Sequence, residues 1–188
     1  MFGNLFLAMS LVSVSALAQK RIVPNPPRPS PEIMKTVQSM NGTWTGRMTA
    51  RIPEYPAETF DWRMVCRTVA EGAGVSCANS GKASIGSMSE SCLLAFDPEG
   101  KAVHYMCVTS MGEVHDHKGT WVDDRTIEFE PLHAGLMSQP IVETLRWQFP
   151  DAFTIYKTSE VKLANGQTLN FEFRGRRSKM LLLQPLNR

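Results

Sequence analysis

Residues 92–107 read CLLAFDPEGKAVHYMC, and this stretch decides the fold. Cys92 and Cys107 stand at equal distances from Glu99-Gly100, inside a turn made of Asp97, Pro98, Glu99 and Gly100. Asp, Pro and Gly together reverse a chain. Folding the segment back on itself sets Leu94 against Tyr105 and Phe96 against Val103, so the register that aligns the cysteines also gathers an apolar set on one face. Cys66 and Cys77 repeat the arrangement around Glu71-Gly72. Residues facing each other in an antiparallel hairpin are close enough for a disulfide. Hairpin symmetry therefore favours Cys66 with Cys77 and Cys92 with Cys107 over the two other connectivities that four cysteines allow. Each closed loop would add about 3 kcal/mol in the chain-entropy account. The alternative role for these residues is that of small buried apolar side chains.

The same period of two extends outward from this hairpin. Phe60, Trp62, Met64 and Cys66 share one face of a segment whose other face carries Asp61, Arg63 and Arg67, so one side is inward and one is wet. Strands are expected near residues 43–52, 59–69, 74–79, 91–97, 102–109, 113–121, 126–131, 141–149, 153–161 and 168–174, parted by turn signals. The pattern is all-β, a sandwich or a barrel. Residues 78–90, rich in Ser and Gly, read as a loop between strands that could serve as a lid. At Asn165-Gly166 a two-residue turn would put Glu160 opposite Phe171, whereas a three-residue loop with Gly166 left-handed, the preferred reading, puts Val161 opposite Leu169. Ahead of the strands, Ser30 is a helix N-cap, Pro31 the first helical residue, and Ile33, Val37 and Met40 share a face. Asn41-Gly42 reads as a left-handed stop.

Residues 1–18 hold an uncharged apolar run closing on Ala16-Leu17-Ala18, the pattern of a cleaved secretory signal. The expected mature chain starts near Gln19 and is periplasmic or secreted. No cysteine follows the cleavage point directly, which argues against a lipid anchor. Residues 19–31 form a proline-rich tether, and residues 32–188 one domain of ordinary size. No stretch reaches the length of a membrane-spanning helix. The formal charge of +2, with a basic cluster only at Arg174, Arg176, Arg177 and Lys179, does not imply nucleic acid. An even cysteine count without C-x-x-C spacing suits an oxidising compartment.

A short helix leading into Asn41-Gly42-Thr43-Trp44-Thr45-Gly46, then a run of strands closing on Phe171-Glu172-Phe173-Arg174-Gly175-Arg176-Arg177, resembles the calycin superfamily of lipocalin-like and fatty-acid-binding-like barrels. Within it the chain resembles a bacterial calycin-like family of unknown function, with a G-x-W start and a Phe-Asp turn, here Phe96-Asp97. The resemblance covers roughly residues 34–177. It implies a single antiparallel up-and-down β-barrel of about 8–10 strands with one short N-terminal helix. It also implies that Gly42 and Trp44 act in barrel closure, with Arg174 or Arg176 as the cation stacked on Trp44. An apolar interior open at one end would hold a small apolar molecule. Trp62, Met64, Tyr105, Met106, Phe171 and Phe173 are the candidate ligand-binding residues, with Met88, Met111 and Met137 as further methionines near the opening. Methionine also fills irregular cores.

Among polar groupings, His115-Asp116-His117 places two imidazoles on one side of a strand, where they could share a transition metal or a haem edge, with His104 or His133 adding a ligand. Exposed histidines on a polar strand are the plainer reading. Gly81-Lys82-Ala83-Ser84 lacks the spacing of a phosphate loop. Glu128 and Glu130 share a face, which is not enough for a catalytic pair. No motif of nucleophilic or metal-assisted hydrolysis is present. The expected function is an exported protein that binds a small, mainly apolar molecule without cofactor or catalysis. The alternatives are a haem or metal barrel using His115 and His117, and an envelope accessory protein whose barrel is filled and binds a partner.

Overall fold

A computed structural model describes residues 30–84, 86–97, 101–110, 112–132 and 141–178. The expected leader, most of the tether, Met111, His133 and Met137 lie outside the described residues. The elements are α1 (Pro31–Met40), β1 (Gly42–Arg51), β2 (Glu58–Val69), β3 (Gly74–Ala83), β4 (Gly86–Asp97), β5 (Ala102–Thr109), β6 (Val114–Trp121), β7 (Thr126–Pro131), β8 (Ile141–Asp151), β9 (Thr154–Leu163) and β10 (Thr168–Arg177). Each strand pairs antiparallel with the next, and β1 also pairs with β10, so the sheet is a closed up-and-down barrel of ten strands. Closure satisfies both edges of the sheet.

Closure demands close approach. Gly46 on β1 faces Gly175 on β10, and a Cβ on Gly46 would sit 1.9 Å from the carbonyl oxygen of Arg174. Beside this glycine pair Trp44 is fully buried and stands opposite Arg177. The Arg177 guanidinium lies 4.4 Å from the centre of the Trp44 ring and donates to the carbonyls of Ser39 and Gln38. Trp44 Nε1 donates to the Met40 carbonyl at 2.8 Å. The stacking cation is thus Arg177, not Arg174 or Arg176. β10 runs three residues further than the sequence suggests, and alternation sends Arg174 and Arg176 to the exposed outer face.

Helix α1 plugs this end of the barrel. Ser30 Oγ accepts from the Ile33 amide and Pro31 opens the helix, while Ile33 and Met40 are buried. Trp121 Nε1 donates to Thr36 Oγ1 at 3.1 Å, and the Lys35 ammonium stands 4.3 Å from the centre of the Trp121 ring. The expected left-handed stop is absent. Asn41 is extended at φ −58°, ψ 127°, and only Gly42 takes positive φ, at 133°, so the chain passes straight from helix to strand.

The expected registers hold. Cys66 faces Cys77 and Cys92 faces Cys107, and both pairs are disulfides. Leu94 faces Tyr105, Phe96 faces Val103 and Val161 faces Leu169. The loop expected at residues 78–90 is instead a hairpin, with β3 running to Ala83 and β4 starting at Gly86. Its inward positions mix small, polar and apolar side chains, Asn79, Gly81 and Ala83 on β3 and Met88 and Glu90 on β4. A Cβ on Gly81 would lie 2.4 Å from the Trp62 ring, so the segment shows no clean apolar alternation to read.

Arg177→Ala should therefore lower stability by about 1–2 kcal/mol through lost stacking and hydrogen bonds, and Trp44→Ala by about 3–5 kcal/mol. Arg174→Ala should stay within about 0.5 kcal/mol. Urea denaturation midpoints of the three variants check the order.

Candidate functional site

The end of the barrel opposite α1 is open. A cavity of about 970 Å³ reaches inward from it. Its apolar walls include Met48, Ala50, Phe60, Trp62, Leu145, Val161, Phe171 and Phe173, and its rim is formed by residues of the strand connections, among them Ile52, Tyr55, Pro56, Ser84 and Ser110, with Leu163 at the end of β9. The interior is not filled from end to end, in contrast to the solid barrel of the accessory-protein alternative. In the plugged half the large rings pack together: Trp147 lies 4.5 Å from Phe129 and 5.0 Å from Tyr105 between ring centres, and Trp44 contacts Phe149. In the open half Ala50, Ser159 and Val161 leave space.

Of the expected ligand-binding residues, the structure brings Trp62, Tyr105, Phe171 and Phe173 to the cavity. Met64 points inward but is fully buried in the packed half, short of the cavity. Met106 is on the outer face, 44% exposed. Adjacent strand residues face opposite ways, so Tyr105 inside requires Met106 outside. Met88 does line the cavity, and Met48 joins it.

A polar group interrupts the apolar wall. His115 and His117 on β6 both face inward, with rings stacked at 6.0 Å, and Glu143 on β8 meets them. His115 Nδ1 lies 2.5 Å from Glu143 Oε2, and its Nε2 lies 3.4 Å from Glu113 Oε2. Ser159 Oγ donates to Glu143 Oε1. His117 is 2% exposed. Its Nε2 is 3.4 Å from Glu143 Oε2, but the direction is poor and neither ring nitrogen has a hydrogen-bond partner. The group lies beyond the stretch where β7 and β8 pair, Thr126–Phe129, with Pro131 of β7 still facing His117 of β6. Burial alone would lower the His115 pKa, but the carboxylates of Glu113 and Glu143 push it up to about 10. Burial would raise that of Glu143, yet His115, His117 and Ser159 hold it well below the usual range.

Sequence reading placed the two histidines together but missed Glu143. The signal was present: Glu143 is in phase with Leu145, Trp147 and Phe149 on the inward side of its strand. A charge in an apolar phase marks a buried polar site. His104 does not join the group. It lies on the outer side of β5 and pairs with Asp116. Nor can His115 and His117 hold one haem from its two faces, because both project from the same side of one strand.

Lys157 on β9 is the second buried charge. Its ammonium lies 4.2 Å from the centre of the Trp147 ring and 3.8 Å from Met64 Sδ. Burial lowers its pKa, with Glu90 and Glu143 pulling weakly the other way. Its remaining accessible surface faces the cavity. Glu90 accepts from Asn79, and Tyr105 Oη lies 2.8 Å from Cys107 Sγ.

A family model described as "Protein of unknown function (DUF1579)" matches residues 30–171. No curated protein sequence matches the chain. Among solved structures the fold is similar to Rv2717c from M. tuberculosis, with a TM-score of 0.65 and 16% identity over 80% of this chain and 99% of that one. It is also similar to the S-type phycobiliprotein lyase CPES from Guillardia theta, with a TM-score of 0.55 and 11% identity over 78% of this chain and 93% of that one. At these identities the likeness is of fold alone, and it places the barrel among the calycin-type folds.

Glu143→Gln leaves a buried imidazole without its carboxylate and should cost about 3 kcal/mol. Glu128→Gln, which removes the exposed partner of Arg146 on the outer wall, should cost less than about 1 kcal/mol. Denaturant titration of both variants at neutral pH measures the contrast.

Proposed function

The chain belongs to the DUF1579 family, and from that premise we propose that it is an exported, non-catalytic carrier that holds a small, mainly apolar molecule in its barrel. The cavity carries this reading. Its volume of about 970 Å³ lies within the range of roughly 300–1,000 Å³ that small-molecule sites occupy. Its walls are aromatic and aliphatic, with a few polar groups on one side, the composition that binds an apolar body and orients a polar end.

Lys157 sets the sign of that end. A buried ammonium is costly without a counter-charge, and its described contacts are a tryptophan face and a thioether. A ligand with an acidic head would supply the missing partner. Export is supported by the apolar leader at residues 1–18 and by two disulfides, which persist in oxidising compartments.

Delipidated protein titrated with a fluorescent apolar carboxylate should show one saturable site and quench tryptophan emission. Ala50→Trp, which fills the cavity, should weaken binding at least about tenfold, a loss of about 1.4 kcal/mol. Lys157→Met should weaken the carboxylate but not its neutral alcohol analogue, and Met106→Ala should change neither. Native mass spectrometry of protein from its own host should show a bound small molecule. No saturable binding together with an empty barrel in the native spectrum would overturn the carrier reading.

A further inference from the structure

We propose that His115, His117 and Glu143 bind a first-row divalent transition metal in the cavity wall, leaving coordination positions open toward the cavity. The inference is independent of the carrier reading, because metal uptake is measured with no organic molecule present.

The donor set is the first argument. One ligand atom from each of the three residues lies within 4.8 Å of the others. Donors bonded to a single ion at about 2.0–2.2 Å are separated by roughly 3–3.5 Å in tetrahedral geometry. Here His115 Nδ1 and His117 Nε2 stand 2.5 and 3.4 Å from the same oxygen, Glu143 Oε2. These separations are close to those of ligands around one ion. Two imidazoles and a carboxylate suit borderline ions such as Zn²⁺, Co²⁺ or Fe²⁺.

The second argument is the arrangement around these donors. Metal-bound histidines are commonly oriented by a carboxylate on the other ring nitrogen, and Glu113 stands there for His115. Ser159 takes Glu143 Oε1, so Oε2 is the oxygen presented to both rings. An ion pair between His115 and Glu143 would need neither feature, nor His117.

His117 is the third argument. An imidazole buried to 2% with neither nitrogen hydrogen-bonded carries an unmet cost of about 1–3 kcal/mol. A cation on Nε2 would remove half of that deficit. His115 and Glu143 line the cavity, so an ion can enter through the open mouth and a polar group of a cavity ligand can reach it.

The full-length mature protein, stripped with chelator and dialysed, is titrated with Zn²⁺ by calorimetry and with Co²⁺ by visible absorption. One equivalent should bind, and Co²⁺ should show the intense d–d bands of a low-coordinate nitrogen and oxygen site. His117→Gln and Glu143→Gln should each reduce affinity about 100-fold or more, and Glu113→Gln about tenfold, the effect of an orienting partner. His104→Ala, on the outer wall, should bind like the parent. Circular dichroism verifies that each variant folds. X-ray absorption of the Zn²⁺ form should count two imidazoles, and this reading needs no variant. Absence of stoichiometric uptake by the parent, an absorption spectrum with no imidazole ligand, or parent-like affinity in folded His117→Gln would overturn the assignment.

Discussion

The structure depends on β1 being paired on both sides. A ten-strand sheet with a free β1 and β10 would present two long edges and an open apolar face, whereas joining them removes both edges and encloses an interior. The joint is made possible by Gly46 and Gly175, which face each other where any side chain on Gly46 would strike the Arg174 carbonyl. It is locked by Trp44, which contacts the helix through its ring nitrogen and the last strand through Arg177. One tryptophan thus ties the first strand, the last strand and the plug.

From that seam the interior divides into two halves with opposed packing. Near α1 the inward positions hold Trp44, Trp147, Phe129 and Phe149, whose rings fill the cross-section. Toward the mouth the inward positions shrink to Ala50, Val161 and Ser159, and the space is left to a guest. Charged groups collect on the wall of the open half, where His115, Glu143 and Lys157 are withdrawn from bulk water without being sealed in a close-packed core. Retaining charges in an apolar wall is unfavourable unless they are paired or used. The pairing is incomplete at His117 and Lys157, and both functional inferences start from those two deficits.

Most of the fold was legible because it is written in period two. The mirror-placed cysteines gave two hairpin registers, the alternation along residues 59–67 gave an inward face, and Gly166 gave the last turn. The errors have physical causes. Three unread residues at the end of β10 moved the stacking cation from Arg174 or Arg176 to Arg177, because the partner of Trp44 is set by register. The β3–β4 hairpin was hidden because its inward positions set Gly81 and Ala83 among the polar Asn79 and Glu90, and the Trp62 ring takes the room beside Gly81. Met106 was assigned to the cavity beside Tyr105 although two neighbours on a strand cannot both face inward. Glu143 was overlooked because it is the single charged residue among inward positions otherwise held by Leu145, Trp147 and Phe149, and a polar residue reads as solvated until its phase is counted. The depth of the cavity is not a pattern of sequence at all, since it depends on which inward side chains end up in the same layer of the barrel.

The two ends of the described chain leave from the plugged side. Ser30 caps the helix that covers that end, and the Ser178 amide donates to the Thr43 carbonyl beside the seam. The mouth lies at the far pole of the molecule. A group attached at Ser30 or Ser178 therefore starts on the side of the barrel away from the opening.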